Sequence, residues 1–275
     1  MNIKISDYII EFLLSKNINK TFGYIGGAIA HIYHSIDKYK EMEIINCIHE
    51  QGAGFAAEGY ARVTGLPGIA LATSGPGATN LLTGIGSCYF DSTPAIFITG
   101  QVNRHELKGD RGIRQLGFQE TDIVSMARPI TKACFHISDP DSIPKVFEEA
   151  FKIALEGRPG PVLIDIPMDV QRIQIQPEYF DIERSEHSEI DSLVLQNLIQ
   201  DIKQAKRPLV LSGRGIKASN CQNLFDQFIA KTKVPVITTL LGLDTIAFDD
   251  LQRVGFIGSY GNRWANIAFG ECDLL

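Results

Sequence analysis

A chain of 275 residues, of which 44% are hydrophobic and 21% charged, has the length and composition of a globular protein with one large or two ordinary domains. Its net charge of −6 and its scattered Lys and Arg residues argue against nucleic acid or an anionic membrane as the main partner. The five cysteines form no CxxC pair and no zinc-type cluster, so we expect reduced thiols in a cytoplasmic protein.

The N-terminal segment predicts an amphipathic helix capped by Ser6, because apolar residues recur there at helical spacing: Ile5, Tyr8, Ile9, Phe12 and Leu13. Charged residues interrupt this run and no small-residue cleavage site follows it, which excludes a signal peptide. Elsewhere no apolar run approaches the ~20 residues that a membrane span needs.

Strand-like apolar runs then alternate with helical stretches. We predict strands over residues 44–48, 68–73, 95–99 and 161–166, and helices over residues 51–63, 78–89 and 142–155. This alternation is typical of βαβ units, so the predicted fold class is α/β, with a parallel sheet and helices on both faces.

The pattern changes between about residues 169 and 191, where the chain is polar and has no sustained period. We therefore place a first domain at 1–170, a linker at 171–190 and a second domain at 191–275. The second domain is predicted to contain helices over 192–204 and 220–231 and strands over 208–212, 235–239 and 272–275. A parallel sheet of only two or three strands leaves much of its faces and edges uncovered. We therefore expect an incomplete Rossmann-like α/β domain in a truncated chain.

Glu50 stands where a predicted strand gives way to a helix, within I-I-N-C-I-H-E-Q-G-A-G-F-A-A-E-G-Y-A-R (residues 44–62). That junction is the carboxyl edge of a parallel sheet, where open α/β folds bind ligands. A partly desolvated carboxylate there could exchange a proton near neutral pH. The simpler alternative is an acid stabilised by the helix dipole. The small residues behind Glu50 allow a helix or a ligand to approach closely.

The segment L-A-T-S-G-P-G-A-T-N-L-L-T-G (residues 71–84) predicts a strand, a glycine turn and a helix. This is the geometry of an anion- or ligand-binding turn. Asn80 stands where the dinucleotide fingerprint requires Gly or Ala, so the match to that fingerprint is incomplete. A tight turn that only connects two elements is the alternative.

Other catalytic signatures are weak or missing in this sequence. Gly213, Gly215 and Ala218 fit G-x-G-x-x-A after a strand, but no acid ends the next strand, so nicotinamide binding is disfavoured. The sequence contains no P-loop, HExxH or GxSxG motif. The histidines are dispersed, and we predict no metal ligands in this chain. Taken alone, G-F-Q-E-T-D-I-V (residues 117–124) favours a surface loop.

Together these segments resemble acetolactate synthase and its relatives, which are thiamine-diphosphate enzymes. The resemblance covers nearly the whole chain and follows the family's order: F-G-Y-I-G-G-A (22–28), H-E-Q-G-A-G-F-A-A-E-G-Y-A-R (49–62), T-S-G-P-G-A-T-N-L-L-T-G (73–84), D-S-T-P (91–94), I-T-G-Q-V (98–102), F-Q-E-T-D (118–122) and G-R-P-G-P-V-L-I-D-I-P (157–167). It implies that the first domain is the pyrimidine-binding domain of the thiamine-diphosphate fold. The second domain then corresponds to the start of the central domain.

The resemblance also implies an activity and a role for individual residues. Glu50 matches the glutamate that hydrogen-bonds the aminopyrimidine ring and so activates the cofactor. The other implied site residues are Gly26 and Gly27 beside the thiazolium and substrate, Thr73, Pro76 and Asn80 around the pyrimidine, and Phe118 and Gln119 facing the substrate. The implied reaction is that of a carboligase, a transferase that decarboxylates a 2-oxo acid, with pyruvate expected, and joins the two-carbon unit to a second 2-oxo acid. This is a step of branched-chain amino acid biosynthesis.

Three positions depart from the family pattern. Ile25 stands where acetolactate synthases commonly have proline, and Met168 where they commonly have lysine. Residues 86–88, Gly-Ser-Cys, replace the usual small and acidic run before the D-S-x-P motif. Because of Met168, a related enzyme that acts on another 2-oxo acid or aldehyde, as in surface-sugar synthesis, is kept as an alternative.

Family members hold the cofactor's diphosphate and Mg²⁺ with a Gly-Asp-Gly…Asn motif in a C-terminal domain, and this sequence contains no Gly-Asp-Gly. The resemblance therefore implies half an active site, which in the family is completed by another subunit. We expect a homodimer or tetramer, and a chain that is inactive alone. A catalytically silent, truncated subunit is a further alternative, and FAD, which some family members bind through the central domain, is left open.

Overall fold

The computed structural model describes residues 2–177 and 190–275. The chain divides into two compact units, Met1–Ser185 and Glu186–Leu275. Most of the predicted linker, residues 178–189, lies outside the described residues, so the limits of that linker stay a prediction.

Strands and helices alternate along residues 2–177. The strands are β1 (Ile3–Lys4), β2 (Lys20–Gly23), β3 (Glu43–Asn46), β4 (Gly68–Ala72), β5 (Ala95–Gln101), β6 (Ala133–His136), β7 (Pro161–Pro167) and β8 (Gln174–Ile175). The helices are α1 (Ile5–Ser15), α2 (Ala30–Lys38), α3 (Glu50–Thr64), α4 (Pro76–Asn80), α5 (Leu82–Phe90), α6 (Ile123–Ala127), α7 (Ile143–Leu155) and α8 (Met168–Gln171). The helix predicted over 78–89 is thus two consecutive helices.

Six of these strands form one parallel sheet in the order β3-β2-β4-β5-β7-β6. Successive residues of β5 alternate between two cores, because side chains along a strand point to opposite faces. Ile96 and Ile98 pack with residues of α1, α2 and α7, whereas Phe97 packs with residues of α3 and α5. The predicted α/β class, a parallel sheet with helices on both faces, is confirmed.

Small residues bring α3 close to its neighbours at two points. A side chain on Gly84 of α5 would lie 2.9 Å from the Cα of Gly54, so the two helices pack with no side chain between them. A side chain on Gly68 of β4 would lie 1.9 Å from the carbonyl oxygen of Ala57. The predicted close approach therefore occurs within the chain, between α3 and both a helix and a strand.

The predicted capping role of Ser6 is wrong. Lys4 occupies the cap position of α1 without a side-chain hydrogen bond, and Ser6 lies inside the first turn. Its buried hydroxyl is 2.8 Å from the hydroxyl of Ser35. The helix begins at Ile5, directly after β1, which pairs with β8 through Ile3 and Ile175.

The second unit is smaller, and within residues 190–275 it contains a parallel sheet in the order β11-β10-β9. Its strands are β9 (Val210–Ser212), β10 (Val236–Thr238) and β11 (Arg253–Phe256), and its helices are α9 (Ser192–Gln204), α10 (Gly215–Ala218), α11 (Gln222–Thr232) and α12 (Arg263–Glu271). Within this unit α9 leaves its apolar residues exposed: Leu193, Val194, Leu195, Leu198 and Ile199.

The third strand of this unit is not where the sequence predicted it. Residues 272–275 form only an isolated bridge, between Leu274 and Pro208, and the third strand is Arg253–Phe256. That strand was missed because it is four residues long, begins with a charged residue and contains a glycine.

Among the described residues, no helix combines the length and the hydropathy needed to cross a membrane.

We predict opposite effects of adding a methyl group at two glycines, one in β4 packed against α3 and one on the exposed face of α3. Gly68→Ala should destabilise the first unit by about 1–3 kcal/mol, because its Cβ would overlap the Ala57 carbonyl. Gly59→Ala, at an exposed position of α3 with no atom within 4 Å, should stabilise it by up to ~1 kcal/mol. Urea unfolding of both variants measures this, and an unchanged midpoint for Gly68→Ala would contradict the packing.

Candidate active site

The predicted site residues follow four strands of the parallel sheet at its carboxyl edge. Gly26 follows β2, Glu50 follows β3, Thr73 follows β4, and Gln119 lies in the connection after β5. The chain passes from β2 to β3 on one side and from β4 to β5 on the other, so the sheet order reverses between β2 and β4. Ligands of open α/β sheets bind in the crevice at this switch point.

Glu50 is the first residue of α3, and only 9% of it is exposed. The side-chain amide of Asn80, the last residue of α4, donates a hydrogen bond of 2.9 Å to Glu50 Oε2. A side chain on Gly77 would come within 3.2 Å of Oε1, so that oxygen lies against a bare stretch of backbone. The carboxylate is therefore both buried and oriented, which dipole stabilisation at a helix start does not require.

Thr73 joins the segments that follow β2 and β4. Its hydroxyl accepts a hydrogen bond of 3.2 Å from the backbone N–H of Ala28. Its side chain also occupies the space that a Cβ would need at Gly26, at 2.4 Å, and at Gly77, at 2.7 Å. Glycine at these two positions is thus required by contact with one threonine.

The turn before α4 brings Gln119 to the same edge. Gly75 has a φ of +65°, a conformation that favours glycine, and a Cβ on it would lie 2.7 Å from the Cβ of Gln119. Pro76 follows as the first residue of α4. The structure therefore brings Gln119 against the predicted ligand-binding turn, although the two are more than 40 positions apart in the sequence.

Two other predicted site residues lack such contacts. Phe118 is 82% exposed, and a Cβ on Gly27 would meet no atom within 4 Å.

Met168, where the sequence departs from the family pattern, is half-buried at the start of α8. Beside it, Asp169 accepts hydrogen bonds from the Arg104 backbone N–H, at 2.9 Å, and from Arg104 Nε, at 2.8 Å. Burial acts to raise the pKa of Asp169, but the bonds from Arg104 hold it below its usual value.

A buried polar network at the ends of β5, β6 and β7 escaped the sequence analysis. Asp165 accepts hydrogen bonds from Thr99 Oγ1 at 2.7 Å and Gln101 Nε2 at 3.1 Å, and its Oδ2 is 3.0 Å from His136 Nδ1. The hydrogen bond to Asp165 raises the pKa of His136, against the opposing effect of its own burial. An acid inside the apolar run P-V-L-I-D-I-P was the available signal, because a buried carboxylate needs partners.

Two further groups lie beside the segment that follows β2. Gln171 of α8 is fully buried, and its amide donates to the carbonyl oxygens of Ala28, at 2.7 Å, and Ile166, at 3.0 Å. Burial raises the pKa of the Tyr33 hydroxyl well above its usual value, and the neighbouring Cys47 and Glu50 act in the same direction. The described residues contain no group of three or more His, Cys, Asp or Glu side chains suited to a metal ion.

The site thus lies at the switch point of an open α/β sheet and includes an oriented, buried carboxylate, Glu50. Residues 3–126 match the family model for the N-terminal TPP-binding domain of thiamine pyrophosphate enzymes. Residues 195–275 match the model for the central domain of the same enzymes. The chain belongs to the thiamine pyrophosphate enzyme family, and the resemblance inferred from its motifs is confirmed.

Curated relatives agree with this assignment. The chain is 36% identical to the acetolactate synthase large subunit of Lactococcus lactis subsp. lactis (strain IL1403), an alignment that covers 98% of the chain and 47% of that protein. It is 37% identical to the acetolactate synthase isozyme 2 large subunit of Escherichia coli (strain K12), over 98% of the chain and 48% of the relative. It is 38% identical to the chloroplastic acetolactate synthase of Arabidopsis thaliana, over 98% of the chain and 40% of that protein. The chain spans about half the length of these relatives.

We predict that His136 makes the stability of the first unit depend on pH. A pKa raised on folding contributes stability that is complete below the unfolded value of 6.5 and is lost as the pH rises through the folded value. His136→Gln keeps a hydrogen-bond donor toward Asp165 but does not titrate. The urea midpoint of wild type should therefore exceed that of the variant by more at about pH 6 than at about pH 9.

A matched substitution at His105, which is exposed, serves as the control for that experiment. In His105→Gln the urea midpoint should change between pH 6 and pH 9 by as much as it does in wild type. A His136→Gln variant whose midpoint follows wild type at every pH would show that the pair with Asp165 does not contribute.

Proposed function

We propose that this chain is the pyrimidine-binding and central part of an acetolactate synthase-type enzyme, a carboligase and thus a transferase. The reaction is decarboxylation of a 2-oxo acid, with pyruvate as the expected substrate, and transfer of the two-carbon unit to a second 2-oxo acid. The observation that carries the proposal is Glu50, a buried carboxylate held by Asn80 at the switch point of the sheet. The relatives named above support the choice of reaction.

The carboxylate of Glu50 fits a protonated ring nitrogen, because it accepts the hydrogen bond that such a nitrogen donates. Thiamine diphosphate, when bound, supplies a carbanion that adds to the 2-oxo acid and stabilises the charge left after carbon dioxide departs. In this proposal Glu50 Oε1 holds the proton at a nitrogen of the pyrimidine, while Asn80 keeps Oε2 and thereby fixes the carboxyl plane. Burial of Glu50 strengthens that hydrogen bond, because the local dielectric is low.

The remaining site residues are assigned by position. Thr73, Pro76 and Asn80 would line the pyrimidine, since all three belong to the turn and helix after β4. Gly26 and Gly27 would border the thiazolium and the substrate, where a backbone without side chains lets the ligand approach closely. Gln119, and with it Phe118, would face the substrate from the loop that packs on Gly75.

Binding of the diphosphate and Mg²⁺ is assigned to another part of the enzyme. This chain contains no Gly-Asp-Gly and spans about half the length of its relatives, so we place that site in the half of such a protein that the chain does not cover. FAD, if the complete enzyme holds it, would contact the central unit.

A second protein surface is proposed to cover the carboxyl edge. Four large apolar side chains on the segments that carry the site residues are exposed: Tyr24, Ile25, Ile48 and Phe118. Exposed large apolar groups near a ligand site favour an interaction surface. We therefore propose a homodimer or tetramer in which a neighbouring subunit completes the site, in the cytoplasm and in branched-chain amino acid biosynthesis.

The residue at position 168 favours a second candidate for the substrate. Met168 removes a cation that the family commonly has at this position, and the neighbouring Asp169 is already paired with Arg104. A related decarboxylase or carboligase with another 2-oxo acid or aldehyde is therefore the second candidate. A catalytically silent subunit is the third, and it predicts that no cofactor binds.

Glu50→Gln should lower the rate of pyruvate consumption by roughly 10²- to 10⁴-fold in the complete enzyme, expressed with any coding sequence that follows residue 275. The amide still accepts a hydrogen bond from Asn80, so the fold is kept while the exchangeable proton is lost. Glu41→Gln, at an exposed position before β3, is the control and should keep the wild-type rate. Equal rates in wild type and Glu50→Gln would contradict the role of Glu50.

The other outcomes separate the three candidates. If wild type binds thiamine diphosphate but does not consume pyruvate, pyruvate is not the substrate and the second candidate is favoured. Met168→Lys would then be the next variant to assay. Wild type that binds no thiamine diphosphate would favour the silent subunit.

The purified 275-residue chain alone should neither bind thiamine diphosphate tightly nor decarboxylate pyruvate, because it contains only the pyrimidine side of the site. Isothermal titration with thiamine diphosphate and Mg²⁺, together with an assay for carbon dioxide release, measures both. Carbon dioxide release by this chain at a rate that depends on Glu50 would contradict the proposed division of the site.

A further inference from the structure

The loop between β5 and α6, residues 102–122, carries Phe118 and Gln119 and is called here the 102–122 loop. It is closed on itself by the carboxylate of Glu120, which accepts hydrogen bonds from the backbone N–H groups of Lys108, at 2.8 Å, and Leu116, at 2.7 Å. The backbone N–H of Gly117 also donates to the Glu106 carbonyl oxygen at 2.9 Å. These bonds make the loop compact, and Arg104 near its start is bonded to Asp169, but none of these contacts ties the segment around Gln119 to the sheet.

Gln101 ties the end of the loop to the sheet. It is the last residue of β5 and is 3% exposed. Its amide nitrogen donates to the carbonyl oxygen of Thr121, at 2.7 Å, and to Asp165 Oδ2, at 3.1 Å. Its amide oxygen accepts from the backbone N–H of Val102 at 3.1 Å. Both hydrogens of the amide nitrogen are used, and these three partners fit only one orientation of the amide.

Asp165 is itself immobilised, so it can serve as the fixed end of this connection. It is 2% exposed and lies in β7, between β5 and β6. Thr99 and His136, from the two neighbouring strands, complete its hydrogen bonding. A buried carboxylate with donors from two neighbouring strands holds its position, because moving it would leave a charge without partners.

Gln119 needs such support because its backbone is in a disfavoured conformation. Its φ of +63° lies in the left-handed region, which residues with a side chain rarely adopt. On one side its carbonyl oxygen accepts from Thr121 Oγ1 at 3.3 Å. On the other side its Cβ packs against the bare Cα of Gly75. The position of Gln119 therefore depends on Thr121, and the position of Thr121 depends on Gln101.

We propose that Gln101 is a positioning residue that connects the buried Asp165 to Thr121 and thereby holds Gln119 at the substrate. It contacts neither substrate nor cofactor in this proposal. The inference rests on the proposed function in one respect, namely that Gln119 faces the substrate. The holding of the loop by Gln101 stands on the geometry alone.

Limited trypsin digestion tests whether Gln101 holds the loop, in the 275-residue chain and without any assay of activity. The 102–122 loop offers four cleavage sites, at Arg104, Lys108, Arg111 and Arg114. Gln101→Met removes both donated hydrogen bonds at similar side-chain length, and cleavage in the loop should become at least about tenfold faster. Gln115→Met is the matched control, because Gln115 is an exposed residue of the same loop. Equal cleavage rates for Gln101→Met and Gln115→Met would overturn the proposal.

A second variant covers the case in which Gln101→Met does not fold. Gln101→Asn keeps the amide but is one methylene too short to reach both acceptors, and the same faster cleavage is expected of it. Near-UV circular dichroism of each variant shows that it is folded before digestion.

A double-mutant cycle in the complete enzyme tests whether Gln101 acts through Gln119. Gln101→Met should lower kcat/KM for the 2-oxo acid on the order of 10- to 100-fold, the cost of a displaced positioning group. The affinity for thiamine diphosphate should change by less than about twofold, because Glu50 and Asn80 are untouched. In a Gln119→Ala background the same substitution should cost less than about twofold, since coupled residues are not additive.

The outcomes of the cycle are distinct from those of the proposed function. An equal loss in both backgrounds is the result of a merely structural effect and would overturn the proposal. Wild type without activity on any 2-oxo acid would overturn the proposed function and the link to the substrate, while the trypsin result would still decide whether Gln101 holds the loop.

Discussion

The parallel sheet is buried on both faces, and the placement of the polar side chains in its central strands follows from that burial. Along β5 the side chains point alternately into one core and the other, so the middle of the strand is apolar on both sides. The polar residues of β5 and β7 lie in the carboxyl half of each strand, where Thr99 and Gln101 donate hydrogen bonds to Asp165. Because parallel strands end at the same edge, the chemistry of the unit is concentrated there.

The two buried carboxylates at this edge have different surroundings and therefore different uses. Three side chains, from the two neighbouring strands, surround Asp165, and its hydrogen bonds are directed into the protein. Glu50 is held by Asn80 at one oxygen, while the other lies beside Gly77. A carboxylate fixed at one oxygen keeps the second for a ligand, whereas one bonded on both oxygens serves as an anchor. In the proposed enzyme Glu50 exchanges a proton, and Asp165 anchors the loop through Gln101.

Glycine and threonine shape the crevice as much as the carboxylates do. Thr73 fills the space beside Gly26 and Gly77, and its hydroxyl holds the backbone of Ala28. On the far side, Gln171 holds the carbonyl oxygen of the same Ala28. The segment after β2 is thus fixed from two sides, as a backbone that approaches a cofactor closely must be.

Local sequence determined the alternation of strands and helices, the junction at Glu50 and the glycine turn at Gly75, because apolar period and turn chemistry act over a few residues. The same reasoning failed for the strand Arg253–Phe256, where a short, partly polar run carries no period. Only the tertiary structure decided that Asn80 reaches Glu50, that Gln119 packs on Gly75, and that Gln101 joins Asp165 to Thr121. These partners lie on different elements, and the order of the strands, which no local pattern contains, is what brings them together.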